Sequence, residues 1–313
     1  MRVVILDPLW PLDGVEEALA GTGVVIDQTD RAEGDDIVAV LAAPEQTIPA
    51  DLLQHAPNVR LVGTCSTGYD NIPVEALTAQ GVSCLHVSSY CDDEVAEHTV
   101  TLAINLLRGV AQLDRFVRDG GWWPFPRLPR RIAGSRLGIV GFGRIGRLVA
   151  LRAQALGMDV VATDALVTDD AMRAVGVGWL DLDTLLETSD VVTLHAPLLP
   201  ETRHLINARR LAQMGPDSYL VNCARAGLVD HVALGEALRT GVIAGAAIDV
   251  FPVEPPPADE QARGWPNAIL QPHAAWYSPE ASIEPYRRQI IDLARFLHGE
   301  EPEGLIMRPE VLR

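Results

Sequence analysis

The sequence predicts an α/β protein built from two doubly wound parallel-sheet domains, one of which is inserted into the other. Its 313 residues exceed the size at which a single hydrophobic core usually stops growing, which indicates two domains. In both halves, short apolar strand-like stretches alternate with helix-like segments, as in parallel sheets. A glycine-rich turn between a strand and a helix begins near residue 140, so its domain interrupts the one that starts the chain.

The order of elements follows from the spacing of apolar residues. A single amphipathic helix is predicted over residues 93–118, where apolar side chains recur every three or four positions. A final helix over residues 279–298 is expected to rejoin the first domain. The resulting domains are residues 1–98 plus 281–313, and the inserted residues 99–280. The predicted strands are residues 2–7, 23–27, 36–41, 59–64 and 82–87, then 137–140, 159–163, 190–194, 219–222, 243–248 and 268–270.

Composition excludes several classes of function. The net charge of −17 argues against nucleic acid and anionic membranes as partners, because both attract basic surfaces. All 25 basic residues are arginine, which excludes Schiff-base chemistry and a Walker-type phosphate lysine. No apolar run is long enough to span a membrane, and the N-terminal apolar stretch is too short for a signal peptide, so we expect a cytoplasmic protein. Four scattered cysteines form no zinc or redox motif, and buried thiols are expected.

The glycine-rich turn is typical of a Rossmann dinucleotide site. Gly141, Gly143 and Gly146 form a G-x-G-x-x-G pattern between a predicted strand and a predicted helix. Asp164 ends the next strand, 18 residues after Gly146, close to the expected spacing of about 20. Its carboxylate can accept hydrogen bonds from ribose hydroxyls and would repel a 2′-phosphate. Since the next arginine along the chain is Arg173, the sequence predicts NAD(H) rather than NADP(H).

Three ionisable residues each follow a predicted strand of the inserted domain. They are Arg225, Glu254 and His273. Because ligands of open α/β sheets bind at the carboxyl ends of the strands, we expect these side chains to lie at one edge of the sheet. Each alone is typical of a salt bridge, a loop charge or a structural histidine. Their joint occurrence favours a catalytic set.

With these motifs, the sequence resembles the D-2-hydroxyacid dehydrogenase family over nearly its full length. Segments 66–71, 89–98 and 273–278 resemble most closely the branch that contains the C-terminal-binding proteins. The resemblance implies a flavodoxin-like substrate domain, an inserted Rossmann NAD-binding domain and a cleft between them. It also implies a homodimer that interconverts a small 2-keto acid and a D-2-hydroxy acid.

The resemblance also implies roles for individual residues. Arg225 would hold the substrate carboxylate and polarise its keto oxygen, as a guanidinium fork can. His273 would supply the proton that accompanies hydride from NADH, and Glu254 would favour its protonated form. Thr67 and Gly68 would offer backbone N–H groups to the carboxylate. Further positions match cofactor contacts: Thr99, Arg144, Ile145, Ala196, Pro197, Cys223, Ala224 and Asp249.

Several alternatives stay open at this point. Trp276 either lines the substrate pocket, favouring apolar or thioether side chains over phosphorylated ones, or is a core residue. Ala226 replaces a glycine common in the family and would be strained if its φ were positive. An NAD(H)-sensing, corepressor-like protein with little turnover is an alternative function, as is a phosphite or phosphoglycerate dehydrogenase. No metal is expected, because no pair of histidines has metal-ligand spacing.

Overall fold

The computed structural model describes residues 1–12, 14–125 and 127–307. The strands are β1 (Arg2–Ile5), β2 (Val25–Gln28), β3 (Ile37–Ala42), β4 (Leu61–Thr64), β5 (Ser83–Leu85), β6 (Arg136–Val140), β7 (Asp159–Thr163), β8 (Gly178–Trp179), β9 (Val191–Leu194), β10 (Tyr219–Asn222), β11 (Gly245–Ile248), β12 (Ala268–Leu270) and β13 (Leu305–Met307). The helices are α1 (Val15–Ala18), α2 (Leu52–His55), α3 (Val74–Thr78), α4 (Asp92–Arg108), α5 (Val110–Arg118), α6 (Arg144–Ala155), α7 (Asp169–Arg173), α8 (Leu182–Thr188), α9 (Ala208–Met214), α10 (His231–Thr240) and α11 (Glu284–Leu297). Short 3₁₀ helices cover Ala226–Leu228 and Gln261–Gly264.

The chain divides into two compact units. Unit 1 comprises Met1–Tyr90 and the chain from Ser278 onward, and unit 2 comprises Cys91–Tyr277. The boundaries expected from sequence were 98/99 and 280/281, whereas in the structure they lie at 90/91 and 277/278, and the larger difference is at the first. The reason is that α4 packs as a whole on α6, β10 and β11 of unit 2, and cannot be divided between units.

Unit 1 is a flavodoxin-like layer of parallel strands. Its sheet has the order β2-β1-β3-β4-β5-β13, and every pair is parallel except β13 on β5. Both faces of the central strands are buried. Val3 and Ile5 pack with Leu293 of α11 on one face, whereas Val4 and Val40 pack on the other. The edge strand β13 was not predicted from sequence.

Unit 2 is a Rossmann sheet in which all seven described strands are parallel, in the order β8-β7-β6-β9-β10-β11-β12. The strand order reverses between β6 and β9. At such a switch point the loops that leave neighbouring strands diverge and open a crevice for ligands at the carboxyl ends. The chain after β6 and the chain after β9 therefore flank the candidate cofactor site.

The prediction of a single helix over residues 93–118 is wrong. The structure contains α4 and α5, separated at Gly109, which has a φ of 62°. The side chain of Asn105 accepts a hydrogen bond from the Ala111 backbone N–H at 2.9 Å across this break. The apolar spacing persists through the break, which is why periodicity alone predicted one continuous helix.

Gly109→Ala tests this break. An alanine in left-handed backbone conformation is strained, so we expect the variant to be less stable by about 1 kcal/mol. Gly264→Ala is the control, because Gly264 has no positive φ and a Cβ there would meet nothing within 4 Å. Thermal unfolding followed by circular dichroism measures both. An unchanged midpoint for Gly109→Ala would show that the break is not held by glycine.

Candidate active site

The glycine-rich turn after β6 closes against the chain after β9. Gly141 has a φ of 96°, and a Cβ there would meet backbone atoms of His195 and Ala196 at 2.6 and 2.7 Å. A Cβ on Gly146 would collide with the carbonyl oxygen of Gly141. A Cβ on Gly143, in contrast, would meet nothing within 4 Å. The fold itself requires the outer glycines, whereas Gly143 leaves open space before the start of α6.

That open space suits the pyrophosphate of a dinucleotide. Gly143 is the N-cap of the 12-residue helix α6, and both Gly143 and Arg144 are exposed. Backbone N–H groups of Arg144 and Ile145 belong to the first turn, where a helix stabilises negative charge. The Arg144 side chain pairs with Asp92 of α4 at 2.9 Å. The residues present therefore fit the phosphate part of the cofactor.

Asp164 lies immediately after β7 and is bonded to the glycine-rich turn. Its Oδ2 accepts the Phe142 backbone N–H at 2.6 Å, and its Oδ1 accepts those of Leu166 and Val167 at 2.7 and 3.0 Å. Partial burial acts to raise the pKa of Asp164, but these N–H groups outweigh it and the pKa is lowered. The carboxylate is therefore ionised beside the turn, as a ribose acceptor must be.

Sequence reasoning missed Arg147, a second charge at this place. Its guanidinium lies over the Phe142 ring, 5.0 Å from the ring centroid, and its charge contributes to the lowered pKa of Asp164. The order of residues beyond Asp164 points only to Arg173, whereas Arg147 precedes Asp164 in the chain. Arg147 lies one position beyond Gly146, on the first turns of α6, and that proximity to the turn is the signal that could have found it.

The chain beyond β9 and β10 supplies the other predicted cofactor positions. Ala196 and Pro197 follow β9, and Cys223 and Ala224 follow β10. Thr99 of α4 is fully buried, and its side chain acts to lower the pKa of the Cys223 thiol. Burial, with the charge of Asp249, raises the pKa of Cys223 to about 12. The thiol is therefore neutral, which excludes a thiolate nucleophile here.

Arg225 is presented by a turn that Asn222 shapes. The buried Asn222 side chain accepts the Ala224 backbone N–H at 3.1 Å and donates to the Arg225 carbonyl oxygen at 2.9 Å. The Arg225 guanidinium donates to the Ala224 carbonyl oxygen at 2.9 Å. Ala226 begins a 3₁₀ helix and does not have a positive φ, so the strain considered for it does not arise. Asn222 is a positioning residue that the sequence did not single out.

His273 and Glu254 form a close pair at the ends of β12 and β11. His273 Nδ1 lies 2.6 Å from Glu254 Oε2, and Glu254 Oε1 accepts the Phe251 backbone N–H at 2.7 Å. Burial acts to raise the pKa of Glu254, but the bonds from His273 and Phe251 and the charge of Arg225 lower it overall. The contribution of Arg225 to the lowered pKa of Glu254 indicates that its guanidinium lies near this pair.

Asp249 holds the loop that carries His273 through hydrogen bonds to its backbone. It is fully buried at the end of β11, and its two carboxylate oxygens accept the backbone N–H groups of Ala274 and Ala275 at 2.8 and 3.0 Å. The His273 backbone N–H donates to the Asp249 carbonyl oxygen at 2.8 Å. His273 has a φ of 54°, which is uncommon outside glycine, so these bonds hold it in place. Predicted as a cofactor contact, Asp249 directly positions the loop that carries the histidine.

Trp276 lies three residues beyond His273 on the same loop. Its side chain is half-buried, not part of the core, and meets Tyr277 edge to face with ring centroids 5.2 Å apart. Trp276 was interpreted either as lining the substrate pocket or as a core residue, and this placement disfavours the core residue.

In unit 1, Thr67 and Gly68 lie in the loop that follows β4. Both are half-buried. His86 Nδ1 contacts the Thr67 carbonyl oxygen at 2.8 Å, and the Ser66 hydroxyl donates to the Gly68 carbonyl oxygen at 2.6 Å. The loop is thus anchored through its carbonyl groups, which leaves its N–H groups for another acceptor.

The described part of the chain contains no candidate metal site, disulfide bond or membrane-spanning helix. Residues 1–12, 14–125 and 127–307 contain no group of three or more acidic, histidine or cysteine side chains suited to a metal. The four cysteines are buried free thiols. Within the same ranges, every helix is too short or too polar to cross a lipid bilayer.

A Rossmann unit with this fingerprint and an Arg, Glu and His set at its strand ends defines an NAD(H)-dependent dehydrogenase. The chain belongs to the D-isomer specific 2-hydroxyacid dehydrogenase family, whose NAD binding domain matches residues 100–275. The predicted family, the two α/β domains and the NAD(H) cofactor are confirmed.

Named relatives agree with this membership. The chain is 37% identical to a glyoxylate reductase from Korarchaeum cryptofilum, over 93% of this chain and 87% of the relative. It is 36% identical to a glycerate dehydrogenase from Methylorubrum extorquens, over 88% and 87%. The structure of D-lactate dehydrogenase from Aquifex aeolicus, complexed with NAD and lactic acid, superposes with a TM-score of 0.88, covering 99% and 100% of the chains at 26% identity. A corepressor-like function is not favoured by these relatives.

Asp164→Ala tests the cofactor assignment. Removing the carboxylate should narrow the preference for NADH over NADPH, because a 2′-phosphate is no longer repelled and Arg147 lies nearby. The ratio of kcat/KM for the two cofactors, with one saturating 2-keto acid, measures this preference. Asp164→Ala combined with Arg147→Ala is the matched control and should lose any gain with NADPH. If the unmodified enzyme used both cofactors equally well, the ribose assignment would be wrong.

Proposed function

We propose that this enzyme reduces small, unphosphorylated 2-keto acids such as glyoxylate to D-2-hydroxy acids with NADH. Arg225, Glu254 and His273 are the catalytic residues of this proposal. The observation that carries it is the 2.6 Å contact between His273 Nδ1 and Glu254 Oε2, in a pair anchored by backbone hydrogen bonds on both sides. The names of the relatives, glyoxylate reductase and glycerate dehydrogenase, support the substrate class.

The geometry supports a defined proton transfer. Because the ionised Glu254 accepts a hydrogen bond from the N–H at Nδ1, the proton that protonated His273 can transfer is the one on Nε2. Arg225 binds the carboxylate of the substrate and polarises its keto oxygen. When bound, NADH supplies the hydride that reduces the keto carbon. His273 then gives the Nε2 proton to the keto oxygen, and in the oxidative direction it takes the proton back.

Two features favour an unphosphorylated substrate. The chain has no lysine, so any phosphate would rely on arginine and backbone groups. Trp276, half-buried on the same loop as His273, supplies an apolar surface instead. A phosphoglycerate dehydrogenase is the second candidate, since the D-3-phosphoglycerate dehydrogenase of Bacillus subtilis is 32% identical over 95% of this chain. The match, however, covers only 57% of that relative.

The proposal includes a homodimer in the cytoplasm. In unit 2, Trp122 and Trp123 are 80% and 71% exposed, an unusual position for such large apolar side chains. Ion pairs of flanking residues, Arg127 with Asp217 at 2.7 Å and Arg130 with Asp190 at 2.6 Å, hold this segment in place. A fixed aromatic surface of this kind suits packing against a second copy. The cytoplasmic location stays a prediction from sequence.

A substrate panel tests the reaction class. NADH oxidation is expected with glyoxylate, pyruvate and 4-methylthio-2-oxobutyrate, with little turnover of 3-phosphohydroxypyruvate. Chiral analysis should give D products where the product is chiral. In Trp276→Ala, kcat/KM should fall more for the thioether acid than for glyoxylate, because the smaller acid has less surface to pack. Equal losses of kcat/KM for both acids would indicate that Trp276 is structural. Absence of turnover with every acid in the panel would refute the proposed function.

Glu254→Gln tests the proton-transfer pair. The lowered pKa of Glu254 keeps its carboxylate ionised at neutral pH, so a negative charge lies 2.6 Å from His273 Nδ1. Glutamine removes the charge but keeps the shape, so the alkaline limb of kcat should move to lower pH under saturating NADH. The nearby charges of Arg225 and Asp249 are unchanged in this variant. His273→Ala, as the reference, should lose roughly 10²–10⁴-fold in kcat. An unmoved alkaline limb in Glu254→Gln would refute the pairing.

A further inference from the structure

Three successive carbonyl groups in the loop after β4 accept hydrogen bonds from fixed donors. The Ser66 carbonyl oxygen accepts the Val87 backbone N–H at 3.0 Å. The Thr67 carbonyl oxygen contacts His86 Nδ1 at 2.8 Å, and the Gly68 carbonyl oxygen accepts the Ser66 hydroxyl at 2.6 Å. Since a carbonyl can only accept, His86 must carry its proton on Nδ1 in this contact.

These bonds determine where the neighbouring N–H groups point. In a trans peptide the N–H is directed opposite to the C=O of the same peptide group. The N–H groups of Thr67, Gly68 and Tyr69 share their peptides with the three anchored carbonyls. No acceptor for them occurs among residues 1–12, 14–125 and 127–307. These N–H groups are therefore available to an external acceptor such as a carboxylate.

We propose that His86 is a positioning residue for the substrate carboxylate. By donating to the Thr67 carbonyl oxygen, it fixes and polarises the peptide whose N–H is that of Gly68. A peptide whose carbonyl accepts a hydrogen bond is a stronger donor at its N–H, since hydrogen bonds in a chain strengthen one another. This role rests on the proposed function and on the role that the family resemblance implies for the Thr67 and Gly68 N–H groups, as further donors to the substrate carboxylate.

The surroundings hold His86 in the required place. Its backbone N–H donates to the Gly304 carbonyl oxygen at 2.9 Å, next to the pairing of β5 with β13. Its ring meets Tyr69 edge to face, with centroids 5.3 Å apart. A Cβ on Gly304 would collide with the His86 carbonyl oxygen, so the closeness of the two backbones requires glycine there. The imidazole therefore has little freedom to leave the Thr67 carbonyl.

Three substitutions separate the hydrogen bond from the bulk of the ring. His86→Asn keeps a donor nearly where Nδ1 lies. His86→Asp has the same shape but replaces the donor with a negative charge, so its effect includes repulsion of the substrate carboxylate. His86→Leu removes polarity altogether. His55→Leu, at an exposed histidine on α2, is the control for loss of a surface imidazole. The readouts are kcat and KM for glyoxylate, KM for NADH, and the Kd of oxamate in the presence of NADH, measured by tryptophan fluorescence.

The expected result is a change confined to carboxylate binding. In His86→Leu, the KM for glyoxylate and the Kd of oxamate should rise roughly tenfold, the scale of one hydrogen bond, and in His86→Asp they should rise further. His86→Asn and His55→Leu should stay within about twofold of the parent, and the KM for NADH should not move. Thermal unfolding of each variant shows whether it is folded. If His86→Leu does not fold, the comparison of His86→Asn with His86→Asp tests the role of His86.

Two contrary results are distinguishable. If the parent reduces glyoxylate and the Asn and Asp variants behave alike, the role of His86 is wrong while the proposed function stands. If the parent neither reduces any 2-keto acid nor binds oxamate, the proposed function fails, and the role of His86 fails with it.

Discussion

The conformation of His273, the proposed proton donor, depends on the hydrogen bonds between the buried Asp249 carboxylate and backbone N–H groups. Burial raises the pKa of Asp249, while the N–H groups of Ala274 and Ala275 act in the opposite direction. A buried carboxylate without such donors would be costly, so the loop after β12 must stay where its N–H groups meet both oxygens. This requirement fixes the backbone of His273 in a conformation that few residues adopt, and so sets its distance to Glu254.

Much of this arrangement could be predicted because it follows from the order of elements along the chain. Parallel strands bring their carboxyl ends to one edge, so residues that follow β10, β11 and β12 had to converge there. The fingerprint at 141–146 likewise combines a strand, three glycines and a helix, a combination few other structures require. Arg225, Glu254 and His273 could therefore be grouped from sequence, although their roles remain predictions.

What could not be predicted depends on contacts between distant segments. The apolar spacing of 93–118 continues through Gly109, and only the backbone conformation there separates α4 from α5. The short strand β13 pairs with β5 across more than two hundred residues, and three residues carry too little periodicity to reveal it. His86 ends a strand like many histidines, and its contact with Thr67 becomes visible only in the fold.

In the proposed function, this chain without lysine binds anions with arginine and backbone N–H groups. The start of α6 offers backbone donors for phosphate, and the loop after β4 offers them for a carboxylate. In each place the site is fixed by acceptors of the protein itself: Asp164 takes the N–H of Phe142 within the glycine-rich turn, and Asp292 takes those of Glu303 and Gly304 beside His86. Backbone donors cannot change rotamer as a lysine can. The fit of an anion in these sites therefore depends on how firmly the loops are held, so residues that touch no ligand, such as His86 and Asn222, can set affinity.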